Sequence, residues 1–204
     1  INADKKIYIY IHICCKGAWL EVFTRLIDNI KQSGLYEVIN QIKCFMLGEP
    51  GELPPIFDDT KITIVKHNRD TSLYERFTLN NLYDDCEKED FYVLYLHTKG
   101  ITHPDCKQVR DWVDYLIYFN MYKFKEIIDF LKIYDTVGVD LAHARVIHYS
   151  GNFWWSKSAH IKTLNKNIGD HPNDPEFWIT SKKEEQKYLS LWLSKVNHYK
   201  KRYP

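Results

Sequence analysis

The sequence predicts an α/β fold: a mostly parallel central sheet flanked by helices, in a single domain spanning residues 1–204. Two observations carry this. Short β-branched and aromatic runs alternate with segments of helical periodicity along the chain, and one run, FYVLYL at Phe91–Leu96, is apolar at every position, so it must be covered on both faces. A chain of 204 residues is long enough to bury a substantial core around such a strand.

The elements follow in order. Lys6–Cys14 (KIYIYIHIC) is the first strand, and Gly17 turns the chain into a helix over Trp19–Gln32, whose apolar positions are Val22, Phe23, Leu26, Ile27 and Ile30. Ser33 and Gly34 stop that helix. A strand at Ile42–Leu47, a Gly/Pro-rich loop at Gly48–Pro55 and a strand at Lys61–Lys66 lead to the polar turn His67, Asn68, Arg69, Asp70. A helical segment over Thr71–Cys86 precedes the central strand. Beyond it the pattern predicts a helix over Val109–Ile133, strands at Thr136–Asp140 and Val146–Phe153, and helices at Ser158–Leu164 and Glu184–Val196. The terminal KKRYP reads as a solvated tail.

Composition excludes several partners. With 28 basic against 27 acidic residues, the net charge of +1 argues against broad binding to nucleic acid or to a membrane surface. No apolar run reaches the length of a membrane span. The five cysteines, Cys14, Cys15, Cys44, Cys86 and Cys106, are odd in number, lack metal-type spacing and follow no secretory signal, which points to a reducing, cytoplasmic setting. A start at Ile1 without Met suggests trimming, or excision from a longer multidomain chain.

Open α/β sheets bind ligands at the carboxyl ends of their strands. That rule selects His12–Cys14, His67–Asp70, His97–Gly100 and Asp140. The Rossmann fingerprint, the P-loop, H-E-x-x-H and G-x-S-x-G are all absent, so the nicotinamide, ATP-hydrolysing, zincin and α/β-hydrolase readings fall away. HYSGNFWW at His148–Trp155 sets a glycine, an amide and two adjacent indoles beside a strand. Successive strand side chains alternate faces, so at least one of Trp154 and Trp155 is expected to line a groove rather than enter the same core.

These motifs together carry a resemblance. YLHTKG at Tyr95–Gly100, DWVDYL, VGVD, HYSGNFWW, PEFWI and VNHYKKRYP resemble small GT-A type glycosyltransferase domains of large algal viruses, microbes and algae, among them the N-terminal domains of chlorovirus multidomain glycosyltransferases. The likeness spans nearly the whole chain. It implies a UDP-linked sugar donor and transfer to a hydroxyl of a glycan acceptor; for the chlorovirus members it implies L-rhamnose transfer. Most GT-A enzymes carry D-x-D at the end of the central strand to hold Mn2+ or Mg2+ against the diphosphate, and here His97-Thr98-Lys99 stands there, which leaves metal dependence open. Asp140 and His198 are the candidate metal ligands, with Asp70, Asp84 and Asp85 the other carboxylates to inspect.

Place at the strand ends, together with the resemblance for Glu176, Gly151 and Asn152, assigns the roles. Lys99 meets the diphosphate as a point charge, with Arg69, His97 and His198 nearby. Glu176, or its neighbour Asp174, is the general base at the start of a late helix. Asn68 and Asp70 contact the nucleotide, although Asp70 equally suits a helix cap. His12, Glu75, Thr78, Thr98 and Gly100 complete the donor site, while Gly151, Asn152 and one of Trp154 and Trp155 meet the sugar. Two other classes use the same residues: a carbohydrate-binding module without chemistry, and a regulatory domain that holds UDP and transfers nothing.

Overall fold

Along the first strand, Ile7, Ile9, Ile11 and Ile13 enter one core while Tyr8 and Tyr10 enter another on the opposite face. This period of two, with both sets buried, places the strand inside a sheet covered on both sides. The computed structural model describes residues 5–103, 105–143, 146–182, 185 and 187–202. Its strands are β1 (Lys6–Cys15), β2 (Gln41–Gly48), β3 (Ile62–Asn68), β4 (Phe91–His97), β5 (Thr136–Gly138), β6 (Leu141–Ala142), β7 (His148–Tyr149), β8 (Trp154–Lys157) and β9 (Tyr188–Ser190).

The main sheet has the order β3-β2-β1-β4-β8-β5-β9, and β6 pairs with β7 apart from it. Among the described residues of the main sheet only β8 runs antiparallel, against both β4 and β5. Helices α1 (Trp19–Gln32), α4 (Lys107–Ile117) and α5 (Phe124–Phe130) pack on the isoleucine face; α3 (Arg76–Cys86), α6 (Ser158–Ile161) and α7 (Asp174–Trp178) pack on the tyrosine face. A short helix α2 (Leu35–Val38) precedes β2.

Four predicted elements differ from those observed. The long helix over Val109–Ile133 breaks at a π-turn, Tyr118–Tyr122. The cause is Asn120, fully buried, whose backbone carbonyl accepts the indole N–H of Trp155 at 2.9 Å and whose side-chain amide donates to the Leu116 carbonyl at 2.9 Å. The helix over Thr71–Cys86 begins instead with a 3₁₀ turn, Thr71–Leu73, and restarts after Tyr74, which adopts a left-handed φ of 48°. The strand Val146–Phe153 ends at Tyr149 and turns through Ser150–Asn152 before β8 begins.

The last difference is the helix predicted over Glu184–Val196. Glu184 lies outside the described residues, and Tyr188–Ser190 is a strand paired with the open edge of β5. Leu189 and Leu191 pack towards the isoleucine face and Tyr188 towards the other, so the local apolar spacing satisfies a period of two once an edge is available.

Candidate functional site

The order of the sheet reverses between β1 and β4, because the chain passes from β1 to β2 and β3 on one side and from β4 to β8, β5 and β9 on the other. Ligands bind outside the carboxyl ends at such a switch point. His12 and His97 are register partners there. Tyr95 and His97 share the face of β4 that α3 covers, and Glu75 stands at the head of α3. The Tyr95 hydroxyl donates to Glu75 Oε2 at 2.6 Å and the Asn152 side-chain amide donates to the same oxygen at 2.7 Å. Asn152 in turn accepts from Trp154 Nε1 at 2.9 Å, so the indole, the amide and the carboxylate form one chain of hydrogen bonds.

His97 Nε2 donates to the carbonyl of Gly151 at 3.0 Å, which sets its tautomer and leaves Nδ1 facing Glu75 Oε1 at 3.9 Å. Burial, aided by Lys99, pushes the His97 ring down to about 4; burial does the same to His12, also to about 4, while its Nδ1 pairs with Thr78 Oγ1 at 2.8 Å. Both rings are therefore neutral near pH 7. Because each folded pKa lies below the unfolded value near 6.5, stability is complete above pH 6.5 and is lost as the pH falls towards 4. The expected loss is on the order of 3 kcal/mol per ring across that window. Urea unfolding at pH 7, 5.5 and 4.5 checks this, with His12→Asn expected to flatten the dependence and an unchanged slope counting against the assignment.

Lys99 turns to the other face of the sheet. Its ammonium lies 3.9 Å from a ring centroid of Trp112 on α4. Burial draws this amine below the ordinary lysine range, while the carboxylates of Glu176 and Glu75 oppose the shift by favouring its charge. Glu176, half-buried on α7, also acts electrostatically on His97, Tyr95 and Tyr199. Trp112 forms part of the wall of a cleft of about 480 Å³ that Asp140, Ser150, Ser194 and His198 also line. Its buried indole N–H has no hydrogen-bond partner among the described residues. Within the cleft, Asp140 Oδ2 lies 3.1 Å from His198 Nε2, and Ser194 Oγ lies 2.9 Å from each. The His198 ring stacks on Trp112 with centroids 5.2 Å apart.

The structure thus brings together Glu75, His97, Lys99 and Glu176, with Asp140 and His198 paired in the adjoining cleft. It corrects other expectations. Trp154 and Trp155 are both fully buried, one on each face of the sheet; alternation holds, but both faces are covered, so neither lines a groove. Asn152 is 1% exposed and spends its amide on Glu75 and Trp154 rather than facing a sugar. The close approach that Gly151 permits, at φ +94°, is to Leu116, 2.7 Å from where a Cβ would stand, and to Trp112.

Thr78 is fully buried, and Thr98 is nearly so, with its hydroxyl accepting from the Cys14 amide at 3.1 Å. Both, like His12, hold the strands and helix beneath the site. Gly100 turns the chain at φ +85° against Val109. Arg69 pairs with Glu49 at 2.6 Å on the exposed edge beyond β3. Asn68 and Asp70 build the adjoining turn, with Asp70 capping Thr71–Leu73 through the Ser72 amide at 2.9 Å. No hydrogen bond or ion pair among the described residues joins this turn to Lys99. Asp84 and Asp85 are ion-paired, to Lys166 at 2.5 Å and to Lys43 at 2.9 Å, away from Asp140.

Tyr95, Trp112 and Ser194 carry parts of the site that periodicity did not single out. Tyr95 was legible in principle, standing two residues before His97 on the same strand face. Trp112 lies in the DWVDYL motif, which carried the resemblance without giving this residue a role, and Ser194 comes from a remote segment with no local signal.

Residues 45–187, well over half of the chain, match the profile of a family described as Domain of unknown function (DUF8361). The chain belongs to the DUF8361 family. No curated protein matches this DUF8361 member in sequence. A solved structure that matches is a "putative nucleotide-diphospho-sugar transferase" from Desulfovibrio desulfuricans G20, at a TM-score of 0.51 and 9% identity, over 92% of this chain and 80% of that one. Identity this low speaks for the fold alone: what this chain shares with that structure is the α/β fold with its mainly parallel central sheet. Among the described residues of this DUF8361 member, no helix is long and apolar enough to cross a membrane.

Proposed function

We propose that this protein transfers a sugar from a UDP-linked donor, with L-rhamnose a candidate sugar, to a hydroxyl of a glycan acceptor in a reducing, cytoplasmic setting. The observation that carries the reading is Lys99, a half-buried cation over Trp112 at the switch point of the sheet, with the carboxylates of Glu75 and Glu176 acting on it. A cation held in low dielectric, with an indole N–H beside it lacking an acceptor, suits an incoming diphosphate.

In an inverting course the bond between the anomeric carbon and the diphosphate oxygen breaks, and Lys99 stabilises the departing anion. The acceptor oxygen forms the new bond to carbon, and its proton passes to Glu176. Glu75 keeps a positioning role, with one carboxylate oxygen already occupied by Tyr95 and Asn152. Asp140 and His198 would hold a Mn2+ or Mg2+ ion only by giving up their hydrogen bonds to each other and to Ser194. Among the described residues no group of three or more His, Cys, Asp and Glu side chains is placed to hold a metal, so a cation would draw its remaining ligands from diphosphate and water. Such an ion would supply further positive charge at the leaving group.

Calorimetric titration with UDP, GDP and a panel of their sugars, UDP-L-rhamnose included, with and without Mn2+, tests the reading. Lys99→Ala is expected to weaken binding of the preferred donor about 10- to 100-fold with the fold intact, the range for losing a charged hydrogen bond. Unchanged affinity would remove Lys99 from the diphosphate site. No nucleotide binding by the wild-type protein would overturn the transfer reading.

A further inference from the structure

A second concavity, of about 870 Å³, lies between the outer side of α3 and the segment 165–170. Two bridges join its walls: Arg76 donates to the His171 carbonyl at 3.2 Å, and Lys166 pairs with Asp84 at 2.5 Å. Residues 76 and 84 are eight positions apart, about 12 Å along the helix. We propose that this groove binds a neutral oligosaccharide.

The lining is what argues for that chemistry. Four carboxamides converge, Asn80 and Asn81 from the helix and Asn165 and Asn167 from the facing segment. Asn81 donates its amide to the Phe77 carbonyl, Asn165 accepts from the Asn167 backbone and Asn167 accepts from the Gly169 backbone, so each orientation is set by a backbone partner. Asn81 is left with an acceptor to offer, and Asn165 and Asn167 with donors. The Asn80 side chain makes no hydrogen bond among the described residues, and its oxygen is buried without a partner. A buried carbonyl without a partner is costly, and turning the carboxamide end over end would bring that oxygen into the groove, where a ligand hydroxyl would satisfy it.

Leu73, Phe77 and Ile168 supply apolar surface among these amides, matching the C–H faces of a sugar between its hydroxyls. Charge is nearly balanced, with Lys66, Arg76 and Lys166 against Asp84 and Asp170, and Lys166 and Asp84 neutralise each other. That balance disfavours a polyanion such as nucleic acid. Calling the occupant the acceptor glycan rests on the transfer reading above; saccharide binding in the groove does not.

The test titrates the full chain with fluorescently labelled tetra- to hexasaccharides of the gluco, manno, galacto, xylo and rhamno series, with oligogalacturonate as the anionic comparison. At least one neutral oligosaccharide is expected to bind, and Asn80→Leu to weaken it tenfold or more while UDP affinity and the urea midpoint stay unchanged. Binding of oligogalacturonate alone, absence of binding across the neutral panel, or wild-type affinity in Asn80→Leu would each overturn the proposal. Saccharide binding without UDP binding would uphold this groove and overturn the transfer reading.

Discussion

Glu176→Gln is expected to reduce release of UDP from the bound UDP-sugar by about 10²–10⁴-fold, the usual scale for removing a general base, with donor affinity unchanged. The amide keeps the shape of the side chain and removes only its basicity. Three carboxylates compete for the role, and their partners separate them. Asp174 accepts from the backbone of His171 at 2.9 Å. Glu75 holds Tyr95 and Asn152 on one oxygen. The Glu176 carboxylate makes no hydrogen bond among the described residues, yet it acts on Lys99, His97 and Tyr95. A single-turnover assay of UDP release, run beside calorimetry on the same variant, separates chemistry from binding. Wild-type release by Glu176→Gln together with a large loss in Asp174→Asn would move the base to Asp174. If neither the wild-type protein nor the variant released UDP while both bound it, the chain would be a UDP-holding regulatory domain.

The second large effect concerns stability. Trp155→Ala and Trp154→Ala are each expected to cost about 3–5 kcal/mol, the range for emptying an aromatic site in a core. Trp155 also loses its bond to the Asn120 carbonyl, and with it the partner of the π-turn. Trp154 stacks on Tyr95 with centroids 4.9 Å apart and orients Asn152, so its loss also loosens the carboxylate of Glu75. Trp154→Phe retains most of the packing and removes the N–H, and it should fall between wild type and Trp154→Ala. Urea denaturation measures all three. Tryptophans lining an open groove would give losses within about 0.5 kcal/mol, and that outcome would restore the aromatic sugar wall.

By itself the sequence determined the class of fold, the central place of Phe91–Leu96 and the end of the sheet at which Lys99 stands. Local periodicity encodes each of these, because a strand covered on both faces must be apolar at every position. The approximate place of Glu176 on a late helix was also legible in DPEFWI. Tertiary structure alone decided which residues the site would keep. Whether Trp154 and Trp155 face a groove or two cores depends on helices far away in the chain, and the same holds for Asn152, whose amide is drawn inward by Glu75 some 77 positions earlier. The strand at Tyr188–Ser190 formed because β5 left an edge to pair with, and the meeting of Asp140 with His198 followed from the path of the segment beyond it. Such pairings are set by which surfaces the folded chain brings together, and no window of sequence contains both partners.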